Sequence, residues 1–450
     1  MKSKTLVLAL TIALSISACG SESSFPKATG KGTIRAINAI KTSPELAFKI
    51  EEVTIGNINF RQASPRVEYD DLEYDFNFDL RFVGDLSSTR IATENLDVIA
   101  DMDYIMLLSG SIASPTVTLW ESEAREIDDS ETVFEARFAH TADSLDSIDF
   151  YFAAEGVAPV LGEKVGTLSF GEILPPVDYE AGDYVLIATT SDDPGEILFQ
   201  SNVQTFAAAT QYTVPLFDAG QNTYAPFIAI AYAVGAGGGI LTIPDSNYPA
   251  VIEYVNASLP LGSIDIYDDD MQTSRVVDDL AHMGVAPELI LMEGENTFYI
   301  TPSDVNQPVL IESVLSFFLG LRVRSFAIGD MDTYRLVSFV ADRRPVETHA
   351  KFQVFSSSIN YDFLSMYAVE PDEVLDEQLP FLLSVTSGEP SRTIAFEAGS
   401  YDFYIRQFGE TEVLSGPIRF DLALGDVIST VIFDTVDPAI LELQTIPNNP

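Results

Sequence analysis

The chain has 450 residues, a formal net charge of −44, one cysteine and three histidines, and it is 46% hydrophobic and 11% aromatic. That apolar content excludes a disordered chain, and that charge repels phosphate backbones and so excludes nucleic acid as a partner. A lone cysteine forms no internal disulfide, and three histidines without an HxxxH or HExxH spacing do not supply the ligand pattern of a zinc site.

The first residues read as a secretory signal. Lys2 and Lys4 form a basic n-region, and residues 5–16 are an apolar run too short to span a membrane. Ile16, Ser17 and Ala18 then supply the small residues that signal peptidases accept, and Cys19 follows. A buried free cysteine is the plainer reading, but a thiol beside a cleavage site has little to pack against. The stretch resembles the lipobox of bacterial lipoproteins. That resemblance implies that Cys19 is acylated and becomes the mature N-terminus, so that the protein meets the membrane through its lipid. Gly20 after the cysteine implies the outer membrane, on its periplasmic or its outer side. Residues 1–18 are then a signal peptide. Residues 19–32, with Gly, Ser, Pro and Lys and no apolar periodicity, are a flexible tether.

Beyond the tether the chain repeats. Four segments open alike: "TIRAINAIKTSPELAFKI" from Thr33, "EARFAHTADSLDSIDFYF" from Glu135, "VIEYVNASLPLGSIDIYD" from Val251 and "KFQVFSSSINYDFLSMYA" from Lys351. Aligned without gaps, they place Asn38, His140, Asn256 and Ser356 in one slot. The middles match through Gly171 and Gly388, Gly182 and Gly399, and Tyr184 and Tyr401. The ends each read as strand, polar turn, strand, and the first copy diverges most, around Trp120. The runs are rich in aromatic and β-branched residues, with turn signals at short, even intervals. This texture predicts an all-β chain of tandem β-sandwich, immunoglobulin-like units at 33–134, 135–249, 250–349 and 350–450, each of single-domain size. Cuts near 134, 249 and 349 are expected to release fragments that keep their own cores.

The residues Arg35-Ala36-Ile37-Asn38-Ala39, Tyr254-Val255-Asn256-Ala257-Ser258, Ser147-Ile148-Asp149-Phe150-Tyr151, Glu180-Ala181-Gly182-Asp183-Tyr184 and Phe326-Ala327-Ile328-Gly329-Asp330 together resemble the DUF4397 domain. The resemblance implies a β-rich, exported, often tandem and often lipid-anchored protein. It implies no catalytic residue.

Several residues invite a chemical reading. Short polar groups in the Asn38 slot can bond nearby backbone and stabilise a turn, which makes His140 a turn variant. "GAGGG" at 235–239 lacks the Lys and Ser/Thr of a phosphate loop and reads as a turn, so that residues 226–241 form a buried β-hairpin. Asp268, Asp269 and Asp270, with Asp278 and Asp279 soon after, are a weak Ca²⁺ candidate beside the simpler reading of a solvated acidic loop. His282 and His349 fall in loop-like stretches without a pairing pattern. No Gly-x-Ser-x-Gly elbow occurs. The expectation is a non-enzymatic envelope protein without an obligatory cofactor, acting as a binder or spacer toward an envelope or extracellular protein or glycan. A glycan- or peptide-binding accessory protein with one specialised unit is the alternative, and a hydrolase is a third.

Overall fold

A computed structural model describes residues 27–154, 164–191, 193, 195–371 and 373–448. Cys19 and the signal lie outside the described residues. The described chain is built of strands and two single 3-10 turns, Leu259–Leu261 and Leu375–Glu377. None of its helical segments is long and apolar enough to cross a membrane.

The first unit shows the plan. One sheet runs in the order Val67–Asp70, Lys31–Asn38, Met102–Gly110, Pro115–Glu123, and the other in the order Val53–Ile58, Leu46–Ile50, Glu73–Leu80, Thr89–Asp97. Lys31–Asn38 and Met102–Gly110 are parallel, with Ile34 opposite Tyr104. The other pairings are antiparallel. The same order recurs around Val133–His140, Ala250–Asn256 and Ala350–Ser356, so the architecture is a repeated two-sheet sandwich. Its connectivity is not the ABED/CFG order of antibody constant domains, and "immunoglobulin-like" describes the layering only. The second unit adds Gly239–Ile243 at one edge, beyond Phe227–Gly235, and Gln204–Phe206 against Gly182–Thr190. The expected hairpin at 226–241 is therefore present, but its second strand is an exposed edge and not buried, and Gly235 (φ 112°) and Gly239 (φ 148°) turn it in conformations that an L side chain resists.

Each sandwich encloses its own apolar core: Ile34, Phe48, Phe76 and Met106 in the first, Phe134, Phe150, Phe199 and Val214 in the second, Ile252, Ile266, Phe298 and Val323 in the third, and Phe352, Met366, Phe403 and Ile432 in the fourth. The first strand of each unit does more than close its own core. Residues 34 and 36 point inward, whereas Ile37 points away, into a second apolar cluster with Ile105, Leu107, Trp120, Phe217, Ile230 and Tyr232. That cluster joins the first two units face to face. An equivalent one, with Val255, Phe326, Ile328, Phe355, Val431 and Phe433, joins the last two. These sheets are buried on both faces, which is why strands such as Met102–Gly110 read as near-continuous apolar runs. Trp120 donates from Nε1 to the Gly171 carbonyl at 2.8 Å. The divergent end of the first copy is thus the part that docks on its neighbour.

The segment joining the third and fourth units, residues 340–349, contacts all four. Arg344 Nη1 donates to the carbonyls of Lys41 and Ser43, and Glu347 accepts from Thr42 Oγ1 and the Ile112 amide in the first unit. Asn222 of the second unit donates to Asp342 and accepts from the Arg343 amide. Arg343 pairs with Glu288 at 3.0 Å in the third, and Asp342 pairs with Lys351 in the fourth. Arg343 is 1% exposed and Ala341 and Val346 are 2% exposed. An accessible linker near 349 is not what the chain places there.

Candidate functional site

The shared polar slot lies at the end of the first strand of every unit, and all four occupants are fully buried. Asn38 donates to Ser43 Oγ (2.8 Å) and accepts from the Ile40 amide (3.0 Å). Asn256 donates to the Gly262 and Leu280 carbonyls at 2.7 and 2.8 Å. His140 places Nε2 3.1 Å from the Leu145 carbonyl. The carbonyls of Asn38, His140, Asn256 and Ser356 accept from Arg61, Gly171, Met283 and Gly388. The slot pins a turn. Burial pushes the His140 imidazole down to about 4, so it is neutral at physiological pH.

The acidic loop is occupied with its own backbone. Asp269 accepts from the amides of Thr273 and Ser274, both at 2.8 Å, and from Thr273 Oγ1 at 2.6 Å, and these bonds hold its carboxyl below the usual range. Asp268 and Asp270 do not converge on it. Among the described residues no group of three or more His, Cys, Asp or Glu side chains gathers to hold a metal ion. His282 packs edge-on to Phe433 at the contact of the last two units, and His349 bonds Thr348.

Three features lie outside what the sequence reading singled out. The first is a polar cleft at the contact of the first two units. Arg35 and Arg137 occupy the same strand slot, two residues before Ile37 and Ala139, and so face each other across the contact. Asp103 accepts from Thr33 Oγ1 and Arg66 Nε through one oxygen and from Arg137 Nη2 at 2.5 Å through the other. In the last two units the same slot holds Glu253 and Gln353. There Glu253, 1% exposed, pairs with Arg324 at 2.5 Å and Arg343 at 3.5 Å. The repeat alignment contains this slot, but its meaning depends on which units face each other.

The second is an acid pair, Asp143 and Asp218, at the edge of the same contact. Burial and the hydrogen bond to Asp143 push Asp218 up to about 6, while that shared bond and Lys41 at 3.0 Å hold Asp143 down. Ser144 also donates to Asp218. Lys41 and Asp143 are nearly half exposed, so the pair sits on a rim and not within a cleft. The third is a groove of about 690 Å³ where the first unit, the 340–349 segment and the fourth unit meet. Phe82, Ile91, Ile112 and Leu424 line it with apolar surface, and Glu347 and Glu397 also line it.

No family model matches the chain, and no curated protein matches it. Among solved structures it is similar to the Bacillus anthracis TIE protein, with 12% identity over 90% of this chain and 69% of that one and a TM-score of 0.15. A score that low bears on neither fold nor function.

Proposed function

We propose that the protein is an exported, lipid-anchored binding protein of the bacterial cell envelope, held to the outer membrane through Cys19 and acting without catalysis. The signal followed by Ile-Ser-Ala-Cys and the resemblance to the DUF4397 domain support the anchoring. The observation that carries the binding role is the groove between the first and fourth units. It belongs to no single repeat, and its volume lies within the range of ligand-binding clefts. Its apolar lining, its two glutamates and the net charge of −44 suit one occupant: an apolar segment of another envelope protein that carries a basic side chain. Reach as a spacer fits less well, because the joining segment folds back on the other units.

Two experiments test this reading. Cys19→Ser should move the protein from the membrane to the soluble fraction, and unchanged partitioning would refute the anchor. Fluorescence anisotropy of the mature chain with a labelled apolar peptide flanked by lysines should show binding that Leu424→Asp abolishes. A glutamate-flanked peptide should not bind. Equal behaviour of the two peptides, or binding indifferent to Leu424→Asp, would refute the groove.

A further inference from the structure

The cleft between the first two units contains cations that the protein's own carboxylates do not satisfy. Its lining includes Arg35, Arg66, Arg125 and Arg137. Arg125 belongs to the rim, where Glu131, Glu135 and Asp178 neutralise it. Glu123 also stands on the lining. The inner three guanidiniums share one carboxylate, Asp103, and both of its oxygens are already taken by Arg66, Arg137 and Thr33. Arg137 also donates to Ser122 Oγ at 2.9 Å and Thr213 Oγ1 at 3.2 Å, which leaves one N–H on each of its terminal nitrogens. Arg35 is the one left over. Its Nε is buried and has no hydrogen-bond partner among the described residues. Its charged neighbours are Arg66, Asp103 and Arg137, two of them of its own sign.

An unpartnered buried donor on a cation is costly, and it is more costly beside like charges in a desolvated site. The last two units show how the fold avoids this. Their equivalent slot carries Glu253, whose carboxylate stands between Arg324 and Arg343. In the first two units that slot is Arg on both sides, and none of the nearby carboxylates among the described residues bonds Arg35 Nε. The centre of a water-sized body can range over about 20 Å³ of the cleft, which is room for a compact anion. A water molecule could accept hydrogen bonds there but would leave the charge uncompensated.

We propose that this cleft binds a single halide-sized anion, chloride in the natural setting, between the guanidiniums of Arg35 and Arg137. The ion supplies the negative charge that the Glu253 carboxylate supplies in the other pair of units, and so fastens the first unit to the second. The affinity is anion-specific, whereas general screening of the −44 charge depends on ionic strength alone.

Crystals of the mature chain grown in sodium bromide would show the site by anomalous scattering, with a peak in contact with both guanidiniums. In parallel, the Tm would be measured in sodium chloride and in sodium gluconate at equal ionic strength, for the wild type and for Arg35→Met. The expected result is the bromide peak, with a Tm that is higher in chloride for the wild type and the loss of that difference in the variant. Absence of the peak, or the same chloride–gluconate difference in both proteins, would overturn the proposal. The bromide measurement uses the unaltered chain, so a poorly folding variant does not remove the test.

Discussion

His140 and Asp218 are both titratable and both perturbed, and they respond to acid in opposite directions. His140 is neutral in the folded protein and held down to about 4, below its usual value near 6.5. Its contribution is complete above pH 6.5 and is lost as pH falls toward 4, because the unfolded chain takes up the proton first. His140→Asn restores the residue used by the first and third units. It should shift stability by less than about 1 kcal/mol at pH 7, the scale of one local hydrogen bond. Below pH 5 it should leave the protein more stable than the wild type, as read by urea midpoints across pH. Asp218 is raised instead, to about 6, so the folded state holds a proton that the unfolded chain has given up. Stability therefore falls as pH rises from 4 to 6. Asp218→Asn should flatten that decline and raise the melting temperature at pH 7. A variant that melts lower at pH 7, with its slope between pH 4 and 6 intact, would count against the shared proton. The His140 slot was legible in the sequence because the four copies act as mutual controls. Asp143 and Asp218 are brought together only by packing, and nothing in their spacing of 75 residues signals it.

At the level of strands, the all-β texture and the four repeats were readable because pairing patterns and turn residues are local. The double burial of strands Lys31–Asn38 and Met102–Gly110 was readable in part. Runs such as "IMLLSG" show too little alternation for a sheet with one wet face. Which neighbour covers the outer face is a matter of three-dimensional fit and leaves no such trace. The slot shared by Arg35, Arg137, Glu253 and Gln353 makes the point. It lies in plain view in the alignment, yet its charges make sense only once the units are paired. Glu253 offers the sharpest test. Arg324 and Arg343 are 2% and 1% exposed and both lean on its carboxylate. Removing one partner of such a set strands buried charge, at a cost of roughly 3 kcal/mol or more. Glu253→Gln keeps the volume and should lower the unfolding free energy by that amount, read as a lower urea midpoint at an unchanged slope. A loss below about 1 kcal/mol would mean that water already screens the cluster.

The whole molecule is held by contacts between units as well as within them, and this changes what a single unit can do. Expressed alone, the second unit (135–249) keeps its own core but uncovers Phe217, Ile228, Ile230 and Tyr232, which the first unit covers in the full chain. A patch of that kind drives association. The isolated unit should therefore run larger than a monomer in size-exclusion chromatography, and a fragment holding the first two units should not. The mature chain should melt in one calorimetric transition, since the 340–349 segment ties every unit to the others. Two or more resolved transitions would show that the segment lies on the units without coupling them.

The hydrogen bond from Thr42 to Glu347 closes a loop of 305 residues. A chain that leaves the ribosome N-terminus first must complete the first unit long before Glu347 exists. The surface at Lys41, Ser43 and Ile112 waits open through the synthesis of two further units, and so long a closure is slow. Unfinished or clipped copies lacking residue 347 therefore differ from finished ones at a place far from the cut. That gives quality control a mark of completeness near the N-terminal end of the molecule.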